Sequence, residues 1–421
     1  MGARGRTAGC YGVTGVLNAL WGATLPATDA RLDLGAGRLG ELLMALAVGA
    51  LVAMPIAGRL PDRWTGRCLL RWTMPSAALA LALTALAPSA GVLIVSAVVL
   101  GIVSGALNVA LSLQAVAVER ASGRPVMATM HGTWTLGAVL GGALVTAGLH
   151  LGVDVQPLLL SGAAVLFTTT LALSRKLRTP DTRQSSTPSE DTREGVARDE
   201  AAREDAARAT RGEVRRGGVR RGGLVVGLGV VGAAAFITEG AATDWAGVHA
   251  TRVLGATPAV GSLVYTAFFV AMTVVRFVGD PVRARLGPAL TIRIAGGTAT
   301  TGYGLVLLAG ATQTPRVGTA IVGWVLAGAG MAVVWPVVVS ALGTSGASAR
   351  RLSTVTTISY GGGLVGPALI GSVASRAGLP IALLIPAALA VLVAAAAPAV
   401  LNQYLATSEA ERGTTTMRST R

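Results

Sequence analysis

Charge is the scarcest ingredient of this sequence. Only 13% of its 421 residues are Asp, Glu, Lys or Arg, about half the usual share for a water-soluble chain, while 52% are hydrophobic. A hydrophobic core of that size in water would still need a charged shell, so a soluble globular domain is excluded. Cysteine is equally thin. Cys10 and Cys68 lie in or beside different apolar stretches without framework spacing, which excludes a disulfide scaffold. The few histidines and cysteines form no cluster with metal-ligand spacing, so no metal or other cofactor is expected. The loops hold no Ser/His/Asp constellation, and no domain is present that could hydrolyse a nucleotide. The glycine-rich "GAVLGGALVTAG" (137–148) lacks the Lys-Ser/Thr of a phosphate loop. Enzymatic function is not expected.

What remains is a run of apolar segments near 8–27, 37–57, 69–87, 92–116, 127–148, 157–174, 223–243, 259–279, 290–310, 317–341, 353–374 and 380–401. Each has the roughly 20-residue length that spans about 30 Å of hydrocarbon at ~1.5 Å per residue. The fold class is therefore an all-α polytopic membrane protein with twelve transmembrane helices, and the bilayer is its solvent. The net charge of +15 might suggest nucleic acid. Its distribution argues otherwise: with alternate loops on opposite sides, 30 of the 35 basic residues fall on one side. That asymmetry is the positive-inside rule, and it places both termini in the cytoplasm with no nucleic-acid partner. The opening "MGARGR" before an apolar run resembles a signal peptide, but no small-residue cleavage site follows, so a retained first helix is expected. Lys176 is the only lysine, a bias of GC-rich genomes, which points to a bacterial plasma (inner) membrane.

The pattern divides the chain into a six-helix half at 1–174, a charged cytoplasmic linker at 175–222, a second six-helix half at 223–401 and a cytoplasmic tail at 402–421. The linker is polar and free of aliphatic clusters, so it neither spans a bilayer nor builds a core. Glu194–Arg198, Asp199–Arg203 and Glu204–Arg208 give it the i,i+4 pairs of a solvated helix. Arg215, Arg216, Arg220 and Arg221 lie where they can meet anionic headgroups. The halves echo each other: "GRLPDRWTGR" (58–67) follows span two and "GDPVRARLG" (279–287) follows span eight, each read as a Gly-led, Arg-bearing turn. Such repeats mark secondary transporters, whose site lies between the halves near mid-bilayer. Spans three, six and twelve are nearly plain Ala/Leu/Val/Thr, as lipid-facing helices are. Polar groups gather in spans one, four, five, seven, ten and eleven, which are expected to line a wet interior. Gly137 and Gly141 offer span five a small-residue face for close helix approach.

"GRLPDRWTGR" after the second of twelve spans resembles the loop signature of the major facilitator superfamily. Gly58, Leu60, Asp62 and Arg63 match, while Thr65 stands where a second Gly is usual, with Gly66 and Arg67 following. With "MATMHGTWTLGAVLGG" (127–142), "EGAATDWAGVH" (239–249) and "ISYGGGLVGPALIGSVA" (358–374), the chain is similar to the MosC/YbjJ-like branch, which is linked to rhizopine, an inositol-derived compound. The likeness runs over about residues 8–400, excluding the linker. It implies two halves rocking around a central cavity and a gating role for the loop signature: Gly58, Asp62, Arg63 and Arg67, joined by Glu119 and Arg120 at the inner end of span four. The branch has an Asp in span four where this chain has Asn108, with Ser112 at its following Asn. It also has an Asp before Arg285 where this chain has Ala284. Loss of the span-four carboxylate throws weight onto Glu239.

A charged carboxylate well inside a span costs about 2.5–3.5 kcal/mol on insertion scales, so Glu239 is expected to be protonated, paired or hydrated. It is read as carrier of a coupling proton or as a substrate ligand; the competing readings make it a wet residue beyond an early end of span seven, or a structural hydrogen-bond partner. Asp244 and Trp245 are placed at the outer interface, where Trp prefers to sit. His131, read as the only histidine inside a span, suits a proton relay or a packing hydrogen bond. Asn18, Asn108 and Gln114 offer hydrogen bonds to hydroxyls, and Trp21, Trp134, Trp335 and Tyr360 offer flat faces for sugars and polyols; helix packing is the alternative for each. The expected function is secondary transport of a small polar organic solute such as a sugar or polyol, by alternating access, with protons as coupling partner and a monomer as working unit. Export of a drug or natural product, and a non-transporting receptor or scaffold acting through the linker, remain as alternatives.

Overall fold

The structure is a computed structural model, and it describes residues 2–58, 66–122, 127–175, 211–311, 316–344 and 349–419. The proposed helical pairs at 194–208 lie outside these residues. Six helices form the first half: α1 (Ala3–Leu32), α2 (Gly35–Gly58), α3 (Gly66–Ala85), α4 (Ala90–Ser122), α5 (Met127–His150) and α6 (Val155–Arg175). The second half holds α7 (Arg211–Arg252), α8 (Pro258–Leu286), α9 (Pro288–Ala311), a pass broken into α10 (Val317–Met331) and α11 (Val334–Thr344), α12 (Ala349–Ala377), a short α13 (Leu379–Ala382) and α14 (Leu384–Ser419). Among the described residues the helices make twelve passes of an all-helical bundle. With hydrocarbon as solvent every backbone group must be paired within its own segment, which leaves the helix as the open solution. Buried hydroxyls follow the same rule by bonding back to the preceding turn, as Thr14 does to the Cys10 carbonyl at 2.9 Å.

Ten stretches among the described residues are long and apolar enough to cross a membrane: α2 to α9, the broken α10–α11 pass and the α13–α14 stretch. Of the two passes that fall short, α1 is deeply enclosed, with seventeen of its thirty residues buried, and it tolerates Asn and Thr there. The other, α12, packs against both α7 and α2 and carries Ser, Thr and Tyr. Outward-facing apolar side chains include Leu79 and Leu83 of α3, Ile294 and Leu308 of α9, and Val391 of α14.

The two halves repeat one packing scheme. The pairs α1–α5, α2–α4, α3–α4 and α3–α6 recur as α7–α12, α8–α10, α9–α10 and α9–α14. Between the halves, α5 packs on α8 and α2 on α12, again as symmetric counterparts. Small residues set the closeness of these contacts. Within the first half, a Cβ at Gly15 would run into the Trp134 carbonyl oxygen, and one at Gly137 into the Gly12 carbonyl oxygen. The small-residue face read in span five is therefore in use against α1.

The halves meet most tightly at the end of the bundle opposite the termini. There the backbones of Gly40 and Gly371 touch, so that a Cβ on either would collide with the other. Thr146 on α5 shares hydrogen bonds with Ser262 at 3.0 Å and Thr266 at 3.3 Å on α8. Arg252, at the end of α7, grips Asp29 of α1 through two bonds, Nε to Oδ2 at 2.5 Å and Nη2 to Oδ1 at 2.7 Å. Asp29 is itself buried and accepts the Gly35 N–H at 3.1 Å, so the carboxylate is held in place before the arginine arrives.

Three expectations change. The helix of span seven runs on to Arg252, nine residues past its expected end. "GDPVRARLG" is no short turn: residues 279–286 form the last turns of α8, and the chain reverses only at Gly287, whose φ of 74° suits glycine. The last helix continues through the expected tail as far as Ser419. Gly15→Leu should overpack the α1–α5 contact, costing about 1–3 kcal/mol or more and lowering the melting temperature of the purified protein. The same change at Gly297, which has open space around its Cβ position, should leave it nearly unaltered.

Candidate functional site

The break between α10 and α11 has a definite cause. Pro336 has no N–H to give to the carbonyl four residues back, so the Ala332 carbonyl is left without its helical partner. Arg276 of α8 supplies one: its Nε donates to the Ala332 oxygen at 3.4 Å. The same guanidinium faces Glu239 of α7, with Nη2 3.6 Å from Oε2. These two side chains are 18% and 19% exposed, enough to be reached from the joint between the halves. Beyond the one bond to Ala332, the other guanidinium N–H groups have no protein acceptor within hydrogen-bond distance among the described residues, and they are not sealed in the interior.

Beside this pair stands an aromatic wall. Phe236, one turn before Glu239, stacks on Tyr360 of α12 with ring centres 4.8 Å apart and meets Trp335 of α11 at 5.1 Å. Tyr360 is 39% exposed, its ring available on one face. The first half contributes from the opposite side. Tyr11 of α1 lies in electrostatic range of Tyr360 and touches His131 of α5 edge-on at 5.9 Å. His131, exposed at the joint, is in turn in electrostatic range of Arg276. A charge pair, a flat apolar wall and hydrogen-bonding groups from both halves thus converge. That arrangement can hold a small polar molecule and release it when the halves part.

Of the residues singled out in the sequence, Glu239, His131, Trp335 and Tyr360 come together here. Asn108 is exposed on α4, one turn before Ser112, whose hydroxyl bonds to its carbonyl at 2.9 Å. Asn18 instead donates to the Thr14 carbonyl of its own helix at 3.1 Å. Trp21 is buried in the packing of α1. Trp134 edges onto Phe269 across the α5–α8 joint at 5.9 Å. Gln114 is buried, with its backbone beneath Gly66 where α3 begins. In the gating group, Gly58 is exposed at the end of α2, while Arg67 and Glu119 are half-buried where α3 begins and α4 ends. Asp62, Arg63 and the side chain of Arg120 lie outside the described residues.

Two readings are corrected. Trp245 is not at a rim: it is fully buried, against Gly371, because α7 continues for two further turns beyond Asp244. His131 is not the only histidine in a span, since His249 lies in the same long helix, buried and edge-on to Trp324 at 6.2 Å. Sequence reasoning also missed three members of the site. Arg276 falls near the end of the span-eight stretch, where an arginine passes for a loop residue. Tyr11 and Phe236 look like ordinary packing residues in their helices. The available signal was Pro336, whose orphaned carbonyl needs a donor.

Twelve helical passes in two symmetric halves, tied at one end and meeting around a charged and aromatic joint, form the architecture of a membrane transporter. The model of the major facilitator superfamily matches residues 7–320, and the chain belongs to that family; it is a secondary transporter. Over 390 residues it is 29% identical to an uncharacterized MFS-type transporter of Yersinia pestis, covering 92% of this chain and 93% of that one. To the membrane protein MosC of Rhizobium meliloti it is 29% identical over 389 residues, 91% of this chain and 86% of the other. In fold it is similar to a D-xylose–proton symporter of known structure, with a TM-score of 0.71 at 14% identity over 96% of this chain and 98% of the symporter.

Arg276→Met should strand both the Glu239 carboxylate and the Ala332 carbonyl. Leaving such groups unpaired costs about 1–3 kcal/mol each. A lower melting temperature is the expected result, and Arg276→Lys, which keeps the charge but not the fork, should recover part of the loss.

Proposed function

We propose that the chain moves a small polar organic solute, such as a sugar, a polyol or a related metabolite, across a bacterial inner membrane, coupled to a proton carried by Glu239. The observation that carries this reading is the Glu239–Arg276 pair beside the Phe236–Trp335–Tyr360 wall, facing Tyr11 and His131 from the other half. Flat aromatic faces suit the C–H surfaces of polyols, and the polar groups suit their hydroxyls. A partly buried carboxylate paired with arginine can gain a proton only by giving up that pairing, so protonation and conformation are linked. Both termini face the cytoplasm in this reading, the 175–222 segment is a cytoplasmic linker between two six-helix halves, and the monomer is the working unit. The end fastened by Arg252 and Asp29 then faces outward, which makes this the inward-facing state. The branch gating residues Gly58, Asp62, Arg63, Arg67, Glu119 and Arg120 act on the cytoplasmic side, fastening the opposite state.

Thermal unfolding of the purified protein against polyols, sugars, amino acids and hydrophobic drugs tests the substrate class, since a ligand of the folded state raises its stability by mass action. Selective stabilisation by a polyol or sugar is the expected outcome; shifts confined to diverse hydrophobic compounds would favour an exporter instead. For a stabilising solute, uptake into proteoliposomes should follow an imposed proton gradient. Glu239→Gln should lose pH-driven accumulation while keeping solute exchange, and unchanged accumulation in that variant would remove Glu239 from the coupling role.

A further inference from the structure

The Glu239–Arg276 pair carries more than a proton site. Arg276 is fixed at one point only, by the bond from Nε to the Ala332 carbonyl that Pro336 leaves open. The terminal nitrogen Nη2 faces Glu239, but at 3.6 Å the contact is an ion pair and not a hydrogen bond. A planar fork with a fixed stem and open donors is the geometry that binds a carboxylate through two parallel bonds. The 18% exposure of the side chain makes the fork reachable from the joint. The pair is electrically neutral as it stands. Seating a further anion on the fork would leave two negative charges against one positive in a partly desolvated place, unless Glu239 takes up a proton as the anion arrives.

We propose that the substrate carries a carboxylate, that Arg276 is its anchor, and that Glu239 is the internal stand-in which the substrate displaces with uptake of one proton. Sugar acids and hydroxylated organic acids fit, with the charged end on Arg276, the body against Tyr360 and Phe236, and hydroxyls toward Tyr11 and His131. This inference rests on the transport reading of the site and narrows it. Charge bookkeeping then sets the coupling. The O–H bond forms on Glu239 as its ion contact with Arg276 is lost and the substrate's contact is gained, so one proton enters per carboxylate and the loaded site stays neutral. The titratable groups around the pair are His131 of α5, Tyr360 of α12, Tyr303 of α9, Tyr265 of α8 and Asp244 of α7. Of these Tyr303 is committed, its hydroxyl donating to the Thr238 carbonyl at 2.6 Å. None brings a second fixed positive charge to receive the anion, which leaves Arg276.

The test needs no knowledge of the natural substrate. Full-length protein in detergent is melted with acetate, benzoate and D-gluconate, and with benzyl alcohol and sorbitol as neutral counterparts at matched ionic strength. In the wild type the carboxylates should raise the melting temperature saturably, with apparent affinity tightening about tenfold per pH unit as pH falls through the titration of a single linked proton. In Glu239→Gln, where the stand-in cannot ionise, the same carboxylates should bind without that pH dependence. Glu239→Gln/Arg276→Gln should lose the shift; if that variant does not fold, Glu239→Gln/Arg276→Lys takes its place and should bind at least about tenfold more weakly, having lost the two-point contact. Neutral compounds matching the carboxylates, a carboxylate shift that survives removal of Arg276, or no carboxylate shift in Glu239→Gln would each overturn the inference. A selective shift with sorbitol alone would overturn it while leaving polar-solute transport standing.

Discussion

A carbonyl released by a proline inside a bilayer has no water to turn to. Ala332 is in that position, and the guanidinium that answers it also faces the acid of the neighbouring helix. One arginine therefore holds together three things that a membrane protein cannot leave unattended: a break in a helix, a charged carboxylate and its own positive charge. Remove any one and the other two lose their justification. The functional joint is built around this mutual need, and the aromatic residues that flank it, Phe236, Trp335 and Tyr360, come from α7, α11 and α12, which pack around the same point.

Around that centre the two halves are fastened very unequally. At the end away from the termini, bare glycine backbones meet, hydroxyls pair across α5 and α8, and a buried aspartate receives an arginine in a two-bond grip. These contacts are short and polar or nearly featureless, with the Tyr265 ring set against Gly22 and Gly142 of the other half. Surfaces of that kind can separate and re-form without rebuilding a core, whereas the α1–α5 and α7–α12 contacts inside each half are interdigitated at backbone distance.

Much of this was legible in the sequence because the bilayer imposes so strict a grammar. Segment length, hydropathy and the one-sided arginines delimit twelve passes; of the plain spans three, six and twelve, the sixth and twelfth turn much of their surface outward, while half of the third is buried. Glu239 stands out for the same reason: few acids sit in the middle of an apolar run. What was hidden depends on pairing in three dimensions. Arg276 lies close enough to the end of its span to pass for a loop residue, and only the packing of α8 against α7 and α10 turns it inward. Trp245 misled for the opposite reason. Its preference for interfaces is a statistical tendency of exposed tryptophans, and α7 ran two turns further than its apolar stretch suggested. Tyr11 and Phe236 carry no local sign of their role at all, since an aromatic in an apolar helix is ordinary until its neighbours are known.

The length of α7 has a mechanical meaning. Glu239 and Arg252 stand thirteen residues apart on one unbroken helix, about 20 Å along its axis. The acid of the central site and the arginine of the end fastening are thus two marks on a single rod, pinned at one extremity to Asp29 of the other half. A tilt that frees the pinned end must swing the middle of the rod by a smaller, geometrically fixed amount. What happens at the mouth of the protein is read at its centre as a displacement of one carboxylate, with no relay of side chains in between.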